Sequence, residues 1–170
     1  MKHIIALFCL ALVFTACEGE QGPPGYDGTD GTDGEVAPAF EIEVDFNAGN
    51  NYEVVQNYGF DIVASDVVLV YMSWETVEGT EIWRLVPQTQ YFDEGVLTYN
   101  YDFTDVDFRI FLDATFNLNT LGDEWTQNQY FRVVIVPADY INGIDTNSFD
   151  DVIKASKIES FETLESVDTM

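Results

Sequence analysis

The chain has 170 residues and sets 31 acidic side chains against six basic ones, a formal charge of −25 at neutral pH. A protein that grips nucleic acid must neutralise phosphates with a basic patch, so this balance excludes nucleic acid as a partner. With two cysteines and one histidine, there is almost no material for Cys/His zinc sites or histidine-dependent nucleophiles.

Lys2, an apolar run from Ile4 to Phe14, and the small residues Thr15 and Ala16 have the layout of a secretory signal peptide over residues 1–16. The run is too short to span a bilayer. Phe14-Thr15-Ala16-Cys17 resembles a bacterial lipobox, with Phe14 where leucine is usual, and makes Cys17 the predicted lipid-attachment residue. Buried acyl chains contribute about 0.8 kcal/mol per methylene, so the lipid would supply the membrane anchor. The alternatives are an ordinary secreted protein cut near Ala16 and an uncleaved N-terminal helix. Cleavage before Cys17 removes Lys2, His3 and Cys9, leaving a mature chain with no imidazole and no free thiol. Its one acylated cysteine cannot form a disulfide.

Gly19, Gly22, Gly25, Gly28, Gly31 and Gly34 follow at intervals of three. Glycine at every third position is the requirement of a collagen triple helix, whose axis admits no side chain. The triplets hold one Pro-Pro pair, and Glu20, Asp27, Asp30, Asp33 and Glu35 without a basic residue, so three bundled copies would repel one another. Two readings of residues 17–35 stand: a collagen-type trimer, or a monomeric extended stalk. At the polyproline rise of ~3.1 Å per residue such a stalk reaches on the order of 55 Å.

A lipobox cysteine, an acidic Gly-X-X run and a β-rich domain in that order resemble the small collagen-like lipoproteins of the flavobacterial group. The resemblance extends through Asp66–Tyr71, Leu85–Thr89 and Gln127–Asp139. It implies an outer-membrane lipoprotein and supplies no activity. Acidic residues just after the lipidated cysteine, here Glu18 and Glu20, are associated in such bacteria with export to the cell surface.

Residues 36–170 are enough for one domain. With five basic and 25 acidic residues, that domain carries a formal charge of −20. Phe40, Ile42, Val44 and Phe46 alternate with Glu41, Glu43 and Asp45, the period of a half-buried strand. Ala48–Asn51 reads as a turn. Strands are predicted over Tyr52–Gln56, Phe60–Val63 and Val67–Trp74, with a hairpin turn at Thr76–Thr80. Ile82–Pro87 and Thr89–Phe92 follow, with Pro87 suited to an edge or bulge. Asp93-Glu94-Gly95 is a second hairpin signal between Thr89–Phe92 and Val96–Phe103, and Val106–Leu112 is the next strand. Tyr130–Val136 is the strongest predicted buried strand, with Arg132 its single charge, and reads as the centre of a sheet ending at Pro137. Ser148–Lys157 is the one predicted helix, capped by Ser148, with Asp150 and Asp151 at its start and Lys154 and Lys157 at its end. The fold expected is mainly β, an antiparallel sandwich or barrel-like domain with one short C-terminal helix.

Two carboxylate groups are candidates for a calcium ion: Asp102, Asp105 and Asp107, and Asp145, Asp150 and Asp151. Neither has the Asp-x-Asp-x-Asp-Gly spacing. Trp125, in the polar stretch Asp123–Gln129, is the candidate ligand contact, since carbohydrate modules stack sugars on exposed aromatics. Trp74 and Trp83 flank the Glu75–Glu81 turn, where they could face each other across a hairpin, either as ordinary cross-strand stabilisation or as a second ligand contact. Among 31 carboxylates some pair meets any glycosidase distance test, so that test selects nothing. The expected function is a non-catalytic structural, adhesive or binding module at the cell surface, without cofactor unless calcium binds. Its expected partners are the membrane and a glycan or surface protein. The alternatives are a carbohydrate-binding module, a calcium-dependent trimeric tether and, more remotely, a small hydrolase.

Overall fold

The computed structural model describes residues 37–164. Cys17 and the glycine triplets lie outside the described residues.

Among the described residues nine strands form two open sheets, and no closed barrel forms. The first sheet has the order β4-β3-β8-β1-β9, built from β1 (Ala39–Val44), β3 (Val67–Val77), β4 (Thr80–Leu85), β8 (Gln129–Val136) and β9 (Glu162–Leu164). The second has the order β2-β7-β6-β5, from β2 (Glu53–Asn57), β5 (Gln88–Phe92), β6 (Gly95–Phe103) and β7 (Asp107–Ala114). All pairings are antiparallel except β1 with β9. The predicted alternation in β1 is realised: Phe40, Ile42, Val44 and Phe46 are all buried. They meet Leu97, Tyr99, Phe108 and Ile110 of the facing sheet, the interdigitation from which a sandwich draws most of its stability.

β8 is central, paired with β3 on one side and β1 on the other, as its apolar composition predicts. Both of its faces are covered. Phe131, Val133 and Ile135 enter the core between the sheets. Val134 and Val136 belong to a second apolar cluster with Leu69, Tyr71, Val152 and Ile158 on the opposite face. That outer cluster lies under α1 (Ala138–Ile141) and α2 (Phe149–Ala155). The Ser148 side chain caps α2 by accepting from the Asp151 amide at 3.3 Å.

The structure corrects four details. Phe60–Val63 is not a strand: the segment is irregular, with its Ile62 amide donating to the Asp105 carbonyl at 2.8 Å. The β3–β4 turn is tighter than Thr76–Thr80, with β3 running to Val77. Glu78 and Gly79 turn it with φ of 51° and 84°, the paired positive values a two-residue hairpin turn demands. Trp74 and Trp83 do not face each other. Ser73 is the partner of Trp83, the register shifts between Ser73 and Glu75, and Trp74 joins the inner core while Trp83 joins the outer cluster. Finally, α1 and β9 are elements whose sequences carry too few residues to show a period.

Candidate functional site

The outer face of the first sheet is where polar, charged and aromatic side chains converge. Residues of β8 alternate between faces, so Arg132 points away from the inner core, flanked in register by Tyr71 on β3 and Glu41 on β1. Its guanidinium is held from several sides. Nε donates to Glu41 Oε2 at 2.8 Å, and the planar group lies 4.1 Å from the Trp83 ring centre and 4.5 Å from that of Phe161. Phe149, the first residue of α2, lies 5.4 Å from the same guanidinium and 5.6 Å from Trp83 between ring centres. Arginine suits this position because a planar cation can stack on rings and pair in its own plane at once.

Beside this group the β3–β4 hairpin and the start of α2 enclose an open cleft of about 600 Å³. Trp83, Phe149 and Arg132 form its inner wall, and Thr76, Thr80, Glu81 and Asp150 its exposed rim. Glu81 and Asp150 accept no hydrogen bond among the described residues, and the guanidinium of Arg132 makes none there beyond the one to Glu41. A second hollow, of about 370 Å³, is mostly apolar and lies among Ala37, Pro38, Phe60, Val63 and Pro137.

Of the residues singled out from the sequence, Trp83 and Asp150 line this cleft and the others lie elsewhere. Trp125 closes a 3₁₀ turn, Asp123–Trp125, and is half-buried, packed against the inner core with its ring edge-on to Phe92 at 5.2 Å. Its carbonyl accepts from the Tyr99 hydroxyl at 2.6 Å. Asp102 pairs with Arg109, which also reaches Glu53 at 3.3 Å and stacks over Phe111. Asp107 accepts from the Thr104 hydroxyl at 2.6 Å, while Asp105 is exposed. Asp145 closes a local turn on the Asn147 amide at 3.0 Å, and Asp150 and Asp151 occupy the first turn of α2. Among the described residues no three His, Cys, Asp or Glu side chains are grouped to hold a metal ion. No helix among them is long and apolar enough to cross a membrane.

Four tyrosine hydroxyls sit inside the domain. Those of Tyr71, Tyr99 and Tyr101 donate to the carbonyls of Thr146, Trp125 and Val68 at 2.7, 2.6 and 3.0 Å. Burial pushes their pKa above the ordinary phenol value of 10.0, with Tyr101 and then Asp145 adding to the rise at Tyr71 and Glu124 at Tyr99. Tyr58 is raised in the same way, first by burial and then by Asp107, yet its hydroxyl has no partner among the described residues.

Comparison of the chain with protein-family profiles, with curated proteins and with solved structures returns no match.

Arg132 carried the one legible signal for this site, as the single charge in an otherwise apolar buried strand. A charge there must find a partner or leave the core. Glu81, Thr76, Thr80 and Phe149 gave no comparable sign, because ordinary strand and helix positions become a cleft only when the hairpin and α2 are brought together.

Proposed function

We propose that this chain is a lipoprotein, anchored through Cys17 in the outer membrane, that displays a non-catalytic binding domain outward from the cell on its glycine-triplet stalk. The observation that carries this reading is the order of parts: an apolar leader, a small residue before Cys17, glycine triplets from Gly19 to Gly34, and a β-domain whose first strand begins at Ala39. A binding role is favoured over a purely structural one by the open cleft at Arg132, whose rim carboxylates lack partners among the described residues. The reading is non-catalytic because the mature chain would hold neither imidazole nor free thiol, and because no pair of carboxylates stands out.

Mass spectrometry of the protein from the membrane fraction tests the anchor. The expected N-terminal peptide starts at Cys17 and carries a diacylglycerol, and Cys17→Ser abolishes both the lipid and membrane retention. A mature chain that begins elsewhere and carries no lipid would overturn the reading.

A further inference from the structure

We propose that the cleft between the β3–β4 hairpin and the start of α2 binds a neutral, polyhydroxylated saccharide; this rests on the reading of the domain as a binding module. The Arg132 guanidinium is fixed by its Nε bond to Glu41 and by the rings of Trp83 and Phe161. A side chain already immobilised loses little further freedom when a ligand arrives. Its Nη1 and Nη2 donors make no hydrogen bond among the described residues, which leaves a pre-set fork at the inner wall of the cleft. Glu81 and Asp150 supply acceptors at the rim, and the hydroxyls of Thr76 and Thr80 serve either way.

Charge decides between ligand classes. An anionic ligand would meet Glu81 and Asp150 at close range, and the one cation present is already paired with Glu41. A like charge about 5 Å away costs roughly 3 kcal/mol at an effective dielectric near 20, before the −20 charge of the domain is added. A cationic ligand would be drawn to the carboxylates, but its stacking place on Trp83 is filled by Arg132 itself, and it would stand beside that guanidinium. A neutral diol escapes both conflicts. One hydroxyl pair can accept from the arginine fork, others can donate to Glu81 and Asp150, and the C–H groups of a sugar ring can rest on the half-buried edges of Phe149 and Trp83 that line the cleft. The cleft volume of about 600 Å³ falls within the ordinary range for small-molecule sites.

The test uses the full mature chain with Cys17→Ser, which removes only the lipid. It is screened on an array of neutral plant, microbial and animal glycans, and hits are measured by isothermal titration in 150 mM salt beside hexagalacturonate and a chitosan hexamer. At least one neutral oligosaccharide is expected to bind. Glu81→Gln and Thr80→Val, both at exposed hairpin positions that leave the core intact, should each weaken it by about tenfold, the worth of one hydrogen bond. Thr89→Val, on the outer face of the other sheet, should leave it unchanged. Binding that responds to Thr89→Val and ignores Glu81→Gln would overturn the cleft while leaving a binding domain in place. Tighter cleft-dependent binding of the anionic or the cationic hexamer would overturn the ligand class, and absence of any neutral hit would overturn the inference. The anchor reading fails or stands separately, on the mass of the Cys17 peptide.

Discussion

The two faces of the five-stranded sheet are built from the same strands but by different means. The inner face meets another sheet, and its core is almost purely apolar, with Phe131, Val133 and Ile135 of β8 set among Phe46, Tyr99 and Ile110. The outer face meets two short helices, of four and seven residues, and the chain around them, and its apolar cluster surrounds an ion pair, Arg132 with Glu41, stacked on aromatic rings. A sheet-on-sheet core extends over the full strand length. Two short helices cover less, and the edge of that cover at α2 is where the cleft lies. The inner face therefore holds the fold, while the outer face has polar groups to spare for a ligand.

Substitutions in the two cores should separate these roles. Phe131→Ala removes a fully buried ring that packs edge-on to Phe46 at 6.1 Å, and should cost about 3–5 kcal/mol in chemical denaturation. Val152→Ala, on the face that α2 buries against the sheet, should cost about 1–3 kcal/mol and act locally. In native-state hydrogen exchange the amides of α2 should then open well before those of β8. Equal and global losses from both changes would show that the two faces form one cooperative core.

Alkali should strain both faces. Tyr58 and Tyr99 on the inner side and Tyr71 on the outer side have pKa values raised above 10.0, chiefly by burial. Above that value the unfolded chain releases phenolic protons that the folded one keeps, so the stabilisation is complete below pH 10 and is lost as pH rises past it. Denaturation free energies measured from pH 8 to pH 11.5 should be level at first and then fall steeply. A level profile throughout would mean that these hydroxyls reach water.

A smaller effect separates the ion pair from the apolar packing around it. Glu41→Gln leaves the mostly covered Arg132 without its counter-charge and should cost about 1–2 kcal/mol. The smallest contrast lies between two tyrosines. Tyr71→Phe strips the Thr146 carbonyl of its 2.7 Å donor and should cost about 1 kcal/mol, whereas Tyr58→Phe removes an unpartnered hydroxyl and should be neutral or slightly stabilising. Urea midpoints for the pair would check this order.

The inner core was legible because its strands obey a period of two: the alternation of β1 and the charge-poor run of β8 name their buried residues directly. The outer core was legible only in part. Ser148, Asp150, Asp151 and Lys154 announced the helix by capping and charge, but nothing local tells which sheet face a helix will cover. α1, with four residues, and β9, with three, are too short to carry a pattern, and β9 reaches its place beside β1 only through a parallel pairing far along the chain. Trp125 sits in a polar stretch, which suggested availability to a ligand, yet Phe92 and the inner core receive its ring from residues distant in sequence. The aspartate groups near 102–107 and 145–151 are close in sequence, but a guanidinium, a hydroxyl and local turn amides engage their members separately. Sequence proximity gave charge density there without convergence.

Protease shaving of intact cells decides whether the domain is held outside the cell by a lipid at Cys17, as proposed. The account predicts that protease removes the domain from whole cells while a periplasmic marker survives, and that Cys17→Ser cells retain no cell-bound domain on their surface. Protection of the domain until the outer membrane is permeabilised would contradict it.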